Sequence, residues 1–425
     1  MPKPTQKPMP GVAGARSPMP DPRPPSAVPA HPRTAGSAPV LAALIAGQLG
    51  MHSAMAGLRL AAPLQTLSEG YSAWSVGLLL ALFAAAPVAT ALYAGRLADR
   101  LGYHRPVALA VALTLAGCLL ALLSTFVTGA WHFALLCGAA LLTGGGTNVG
   151  MLTIQRTAGL AAKDSIERVR VFSWLGVAPS FSNVLGPVTT GFVIDAFGYR
   201  AAYGVLLLMP LISIASARLV PHLAPAGAAA AVAGRRAWDI LKAPGMKRLL
   251  VVNWLLATCW DVHIFAVPVL GHERGFSAST IGLILGTFTL AVTGIRLLIP
   301  FLAHRLSETV VLRTAMVAAG VVFALYPLAP NPLAMGALAV LLGIALGSVQ
   351  PMVMSMLHHI TPDNRHGEAL AFRSMAINAS STLMPLAFGA AGTLVGAGVL
   401  FWVVGGAVSA GSWLARGLAP VPQGA

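Results

Sequence analysis

Residues 95–105 read GRLADRLGYHR, a charged stretch between two long apolar segments. A related stretch, PFLAHRL at residues 300–306, begins 205 positions later and also lies between two apolar segments. Glycine tolerates backbone angles that other residues avoid and lets neighbouring backbones approach closely, so Gly95 and Gly102 predict a tight turn. The recurrence of the stretch indicates that the chain contains two related halves.

The composition predicts a membrane protein. Of the 425 residues, 56% are hydrophobic and only 9% are charged, and the mean hydropathy is +0.78. Soluble domains carry about 25% charged residues. Apolar runs of roughly 20 residues recur, each long enough to cross a hydrocarbon layer of ~30 Å. We therefore predict an all-α membrane protein with twelve transmembrane helices in two pseudo-symmetric six-helix bundles. The predicted helices span residues 39–66, 73–94, 106–126, 131–156, 168–194, 201–220, 247–270, 278–302, 310–329, 333–357, 367–394 and 396–416.

The same offset of 205 relates GYSA at residues 70–73 to GFSA at residues 275–278, and no gap separates these matches from the charged stretches. Apolar helices resemble one another by composition, but coinciding glycine, aromatic and arginine positions argue for a true repeat. The matched positions between the two ends include Gly77 with Gly282, Phe83 with Phe288 and Leu92 with Leu297. Two parallel halves around one midplane site are what a transporter that rocks between two states needs.

The predicted domain organisation follows from the repeat and from the Pro-rich start of the chain. That start cannot bury enough apolar surface to order itself, so it is predicted to be a disordered cytoplasmic tail. The predicted units are the tail (1–38), an N-terminal bundle (39–220), a cytoplasmic central loop (221–246), a C-terminal bundle (247–416) and a short cytoplasmic tail (417–425).

Basic residues are concentrated in alternate loops, and only Arg200 and Arg274 lie on the other side. Because cytoplasmic loops are enriched in Lys and Arg, both termini are predicted to be cytoplasmic in a multi-pass protein of the cell inner (plasma) membrane. The net charge of +15 is thus a topology signal, and no nucleic-acid partner is expected. The three cysteines lie in apolar runs without metal-ligand spacing, and no metal site is expected.

The stretch at residues 95–105 resembles the signature between helices 2 and 3 of the major facilitator superfamily (MFS). The resemblance implies the MFS fold and a latch that docks the two halves in one state. By resemblance, Asp99 would meet the start of helix 11, near residues 368–373, while the copy in the second half carries His304 in its place. The latch residues are Gly95, Asp99, Arg100, Gly102 and Arg105.

Residues 186–191, GPVTTG, resemble the Gly-Pro motif in helix 5 of the antiporters of this superfamily. The motif residues Gly186, Pro187 and Gly191 predict a bendable, closely packed seam, and an ordinary small-residue packing face is the alternative. Residues 195–200, DAFGYR, resemble the loop between helices 5 and 6 of the superfamily.

A charge at the bilayer centre costs at least ~2.5–3.5 kcal/mol, so ionisable residues inside predicted helices are candidate functional groups. Asp261 is the acidic residue nearest mid-membrane, and Arg59 maps by the repeat offset to within one turn of it. We predict an ion pair, or a charge pair linked to protons and substrate, across a central cavity. Asp261 is then the candidate for proton coupling, and a static structural salt bridge is the alternative.

Other polar residues inside predicted helices complete the expected cavity. Arg296 suits either the cavity or the headgroup region, and His52 either the cavity or a packed core. His263 is two residues from Asp261, so the two side chains should point to different faces of the helix. The predicted substrate and cavity residues are Gln48, His52, Arg59, Asn253, Asp261, His263 and Arg296.

The sequence thus predicts a secondary active transporter that moves a small organic solute by alternating access, with proton-coupled efflux as the expected mode. The alternative is an importer of a small organic anion, which Arg59 and Arg296 would suit. No catalytic triad, metal-ligand cluster or nucleotide-binding domain appears in the sequence, so neither an enzyme nor a cofactor is expected. The expected partners are the small-molecule substrate, protons and the lipid bilayer, and the protein is expected to be a monomer.

Overall fold

The computed structural model describes residues 38–161, 171–172, 174–221, 237–302, 307–361 and 366–418. Most of the predicted N-terminal tail, much of the predicted central loop and most of the C-terminal tail lie outside the described residues, and the predicted domain boundaries stay predictions. The described part is helical and contains no strand. Its helices are α1 (Ala38–Ser68), α2 (Ala73–Leu101), α3 (His104–Ser124), α4 (Gly129–Ala161), α5 (Val177–Leu208), α6 (Leu211–Ala217), α7 (Met246–Glu273), α8 (Ala278–Leu302), α9 (Glu308–Leu325), α10 (Pro332–Gly347), α11 (Val349–Ile360), α12 (His366–Val395) and α13 (Ala397–Ala415), with 3₁₀ turns at Ala237–Lys242, Tyr326–Leu328 and Arg416–Leu418.

The helix lengths are consistent with twelve membrane spans. Ten helical segments of the described part are long and apolar enough to cross a membrane by length and composition. One of them covers Val177–Ala217, which is 41 residues and therefore long enough for two spans. Gly198 interrupts it with a φ of 80°, so α5 contains two helices joined at the predicted loop. The 30-residue α12 is a further helix of spanning length.

Alternate helices run in opposite directions, so the bundle has two ends. We call the end where α2 and α8 finish the basic end, because its loops carry most of the arginines and lysines. The other end, where α2 and α8 begin, is the opposite end. Hydrogen bonds near each end join different loops, as from Arg274 Nη2 to the Pro327 carbonyl (2.6 Å) at the opposite end and from Thr309 Oγ1 to the Leu418 carbonyl (3.4 Å) at the basic end.

The two related halves meet along equivalent helices. Helix α2 packs along α12, α5 packs along α8, and α1 touches α7. A Cβ atom at Gly282 in α8 would lie 2.6 Å from the carbonyl oxygen of Pro187, and one at Gly77 in α2 would collide with the carbonyl of Pro385. Since Gly77 and Gly282 are matched by the repeat, the two seams are related by pseudo-symmetry. Close backbone contact through small residues is how membrane helices pack without a hydrophobic driving force.

One of the two seams carries an additional polar contact at the opposite end. Asp195 accepts hydrogen bonds from the backbone N–H groups of Ala278 (3.0 Å) and Ser279 (2.8 Å). These groups open α8, and a carboxylate stabilises a helix N-terminus by filling its unpaired donors and balancing its dipole. In the other seam the same spacing after the proline places Thr393, whose hydroxyl donates within its own helix to the Ala390 carbonyl (2.7 Å). Among the described hydrogen bonds of Asp195 and Thr393, only those of Asp195 join the two halves.

The Asp195→Ala variant should loosen the opposite end, because it leaves two backbone donors of α8 without their partner. We expect the free energy of unfolding in detergent to fall by about 1 kcal/mol. Spin labels at Phe197→Cys and Ser277→Cys, on a background without native cysteines, should report a broader and longer distance distribution. The matched control is Thr393→Ala, which removes no contact across a seam. Equal distributions in Asp195→Ala and Thr393→Ala would contradict the assigned role of the cap.

Candidate functional site

Asp261 lies in the middle of α7 and is 6% exposed. Ser380 donates a hydrogen bond to its Oδ2 atom (2.8 Å) and Ser381 donates to its Oδ1 atom (3.2 Å). Both serines belong to α12, and the hydroxyl of Ser380 also lies 3.4 Å from that of Thr258. Each carboxylate oxygen thus has one neutral donor, which offsets part of the cost of burying the group.

A cavity of about 460 Å³ opens beside Asp261 between the two halves. Its wall is formed by the start of α5, the first part of α7, the second part of α8, the α10–α11 junction and the first part of α12. Each of these segments lies in the middle of the bundle or toward its basic end. The charged and polar lining residues are Asp261, Arg296, Arg373, Asn183, Asn253, Gln350, Ser180, Ser381 and Thr289. The apolar part of the wall includes Trp260, Leu256, Val292 and Ile377.

Three of the seven predicted cavity residues line this cavity, namely Asn253, Asp261 and Arg296. His263 instead packs on Phe288, with ring centroids 4.1 Å apart, and its Nδ1 lies 3.4 Å from the Tyr326 hydroxyl. It points away from Asp261, as their spacing on the helix predicts.

The remaining three predicted residues, Gln48, His52 and Arg59, form a polar stripe on α1, because their spacing puts them on one helix face. Each has a buried polar atom without a hydrogen-bond partner: Oε1 of Gln48, Nδ1 of His52 and Nε of Arg59. These residues are not among the described residues that line the cavity.

The predicted ion pair between Arg59 and Asp261 is not formed in this structure. The oxygens of Asp261 are bonded to the two serines, and Arg59 has no ion-pair partner among the described residues. The two charges are near enough to interact electrostatically. The repeat offset gave the depth of each side chain along its helix, but depth does not fix the direction in which the side chain points around the helix axis.

Arg373 is a charged cavity residue that the sequence reasoning missed. It falls near the start of the predicted helix 367–394, yet it lies about two turns inside α12 and lines the cavity with Arg296. Arg296 in turn lies about two turns before the end of α8, so the two arginines are at similar depth. Comparing depths from the basic end would have paired them.

The predicted latch stretch is mostly helical. Helix α2 continues to Leu101, so Gly95 lies inside a helix and the prediction of a turn there was wrong. Gly102 does turn the chain, with a φ of 73° that glycine tolerates, and its N–H bonds to the Ala98 carbonyl (3.1 Å). Arg100 and Arg105 are exposed. The side chains of Asp99 and of residues 362–368 lie outside the described part, so their contact stays a prediction.

The Gly-Pro motif of α5 lies at a three-helix contact. A Cβ atom at Gly186 would lie 2.6 Å from the Ser53 carbonyl of α1, and one at Gly191 would lie 2.5 Å from the Ala278 carbonyl of α8. The motif therefore packs α5 against a helix of its own half and against a helix of the other half.

The family model described as Major Facilitator Superfamily matches two stretches of this chain, residues 35–259 and 249–425. The chain belongs to the major facilitator superfamily. No curated protein sequence matches it. Within this superfamily, its fold and the repeat of its two bundles are the expected ones.

Solved structures with a similar fold are distant in sequence. A D-xylose–proton symporter has 12% identity and a TM-score of 0.71, with 91% of this chain and 99% of that chain covered. A mutant of the nucleoside transporter NupG has 13% identity and a TM-score of 0.70, with 89% and 98% covered. A mutant of the peptide transporter POT in complex with sulfate has 14% identity and a TM-score of 0.70, with 89% and 94% covered. These likenesses establish the shared fold.

The Ser380→Ala variant should destabilise the protein by about 2 kcal/mol, because it leaves a buried carboxylate oxygen without its donor. The loss should shrink in an Asp261→Asn background, where no ionised group needs that donor, and a double-mutant cycle of unfolding free energies measures the difference. The control is Ser348→Ala, since this buried hydroxyl donates only to the Ala345 carbonyl of the preceding turn. Additive losses for Ser380 and Asp261 would contradict the coupling.

Proposed function

We propose that this protein is a secondary transporter that moves a small organic solute through the cavity beside Asp261, coupled to a proton that binds Asp261. One observation carries the proposal: a buried carboxylate, held by two neutral hydroxyls, lines a cavity between the two halves whose wall also carries charged and amide side chains. Membership of the superfamily and the fold it shares with proton-coupled transporters support the same function.

Alternating access has a physical basis in the two ends of the bundle. At the opposite end the halves are held by glycine contacts at Gly77 and Gly282 and by the Asp195 cap. The cavity lies toward the basic end, where its wall combines α5 of the first half with helices of the second. Breaking the cap and parting the glycine seams while the basic end closes would expose the same cavity to the other side.

The serine partners suit a group that gains and loses a proton. A hydroxyl can donate to an ionised carboxylate and accept from a protonated one, so Ser380 and Ser381 can hold both forms of Asp261 in place. A direct salt bridge to Arg59 would favour the ionised form only. Because Arg59 is near enough to act on Asp261 and has no ion-pair partner among the described residues, it provides a second position to which the carboxylate can turn when the halves move.

Export in exchange for protons, the mode expected from the sequence, requires the solute and the proton to compete for Asp261. Import of an organic anion, the alternative, requires them to bind together. The two modes differ in the charge of the solute that the cavity prefers, which can be measured.

The location in the inner membrane with cytoplasmic termini also stays a prediction.

The Asp261→Asn variant should abolish solute accumulation driven by a pH gradient in proteoliposomes, because the amide side chain of asparagine does not bind a proton at the pH values of such a gradient. Exchange of solute at equal concentrations should persist, since that reaction needs no net proton movement. The solute is first found by a thermal-shift screen on the purified protein. Glu308→Gln serves as the control, since this carboxylate bonds Ser355 near the basic end, away from the cavity. Gradient-driven accumulation that survives in Asp261→Asn would overturn the proposal.

A further inference from the structure

Two arginines from different helices line one cavity, and among the described residues neither has a hydrogen-bond or ion-pair partner. Arg296 of α8 and Arg373 of α12 both line it, and the Nε atom of each is buried and makes no hydrogen bond. Neither forms an ion pair among the described residues. Their charges lie near enough to act on each other. Unpaired guanidinium groups among membrane helices are costly, so two of them on one cavity wall point to a partner that comes from outside the chain.

The charges of the cavity wall are unbalanced. Asp261 is the only acidic residue among the described lining residues. With two arginines and one ionised aspartate, the wall carries a net charge of +1. The aspartate is already engaged by Ser380 and Ser381, which leaves the donors of both arginines available. Guanidinium groups present forked donors that match carboxylate and phosphate oxygens.

We propose that the cavity binds a small organic anion between Arg296 and Arg373, and that the anion and the proton on Asp261 bind together and cross in the same direction. This inference rests on the proposed function and adds the substrate class and the sign of the coupling. A cavity of about 460 Å³ has the size of a small-molecule site. The rest of the wall suits an organic body, since Trp260 and Ile377 offer apolar contact and Gln350 and Asn253 offer hydrogen bonds.

The sign of the coupling follows from the charge of Asp261 and of the groups on and beside the cavity wall. Arg59 of α1, Arg296 of α8 and Arg373 of α12 all remain charged, since arginine keeps its proton in proteins. The two side chains of α12 that touch Asp261 are neutral serines, and His263 on its own helix is turned toward Phe288 and Tyr326. Protonation of Asp261 therefore raises the charge of the wall from +1 to +2 and strengthens anion binding. Exchange requires the reverse relation.

The test measures ligand affinity for the full-length protein in lipid nanodiscs by thermal shift and Trp fluorescence, at acidic and at neutral pH. The probes are matched by shape: benzoate with benzamide and benzylamine, succinate with succinamide, and inorganic phosphate. We expect the acids to bind and their amides and amines to bind more weakly. Arg296→Gln and Arg373→Gln should each weaken acid binding about tenfold, and the corresponding Lys variants should restore part of it.

The matched control is Arg313→Gln, because the Nε of this arginine is also buried without a partner but its side chain is outside the described cavity wall. It should leave acid binding unchanged. Asp261→Asn mimics the protonated aspartate, so it should bind benzoate at neutral pH as tightly as the wild-type protein does at acidic pH, with no pH dependence beyond that of the probe's own ionisation. This readout separates a role in coupling from a purely structural one.

Two outcomes of the binding test would overturn the inference. One is a preference for the amines or amides, and the other is acid binding that is equal in the wild type, Arg296→Gln and Arg373→Gln. Arginines that only anchor α8 and α12 to headgroups would give the second result. Proton-driven flux of a neutral or cationic solute would leave the proposed function intact and remove the anion. Binding of the acids without flux of any solute would support the anion site and contradict the proposed transport function.

Discussion

A carboxylate inside a membrane-embedded bundle needs hydrogen-bond donors, and Asp261 obtains them from Ser380 and Ser381. This small contact ties α7 to α12 and sets the character of the cavity beside it. Since the donors are neutral, the ionised aspartate pairs with none of Arg59, Arg296 and Arg373, and these arginines have no ion-pair partner among the described residues. The wall of the cavity is therefore positive, and its charge depends on whether one proton is present.

The rest of the fold joins the two halves near the opposite end, while the cavity lies toward the basic end. Glycine contacts let α2 approach α12 and α5 approach α8 along pseudo-symmetric seams, and the Asp195 cap reinforces the second of them. The cap is a set of hydrogen bonds between halves, so it can break without disturbing the core of either half. The proposed proton and anion sites line one cavity between the halves, and the Asp195 cap lies at the opposite end, which is the arrangement that the proposed coupled transport requires.

The repeat made most of the fold predictable, because positions 205 apart identified α2 and α8 as equivalent helices. It also matched Gly77 with Gly282, and in the structure these two glycines lie at the two equivalent seams. Asp261 was predictable as an acid alone at mid-membrane. Its partners were not, since serines in an apolar helix usually bond their own backbone and carry no signal of distant contacts. Arg59 was assigned to Asp261 by depth, which does not fix direction around the helix axis. Arg373 was overlooked because its position near a helix start suggested the surface, and only the packing of α12 on α7 shows that it faces inward.

The central claim is that Asp261 gains and loses a proton while it stays bonded to the two serines. Infrared difference spectroscopy of the wild-type protein across a pH titration tests it without any ligand. The account predicts a band of a protonated carboxyl group that appears as the pH falls, shifts in Ser380→Ala and is absent from Asp261→Asn. An identical band in the wild type and Asp261→Asn would assign the proton to another group and contradict the account.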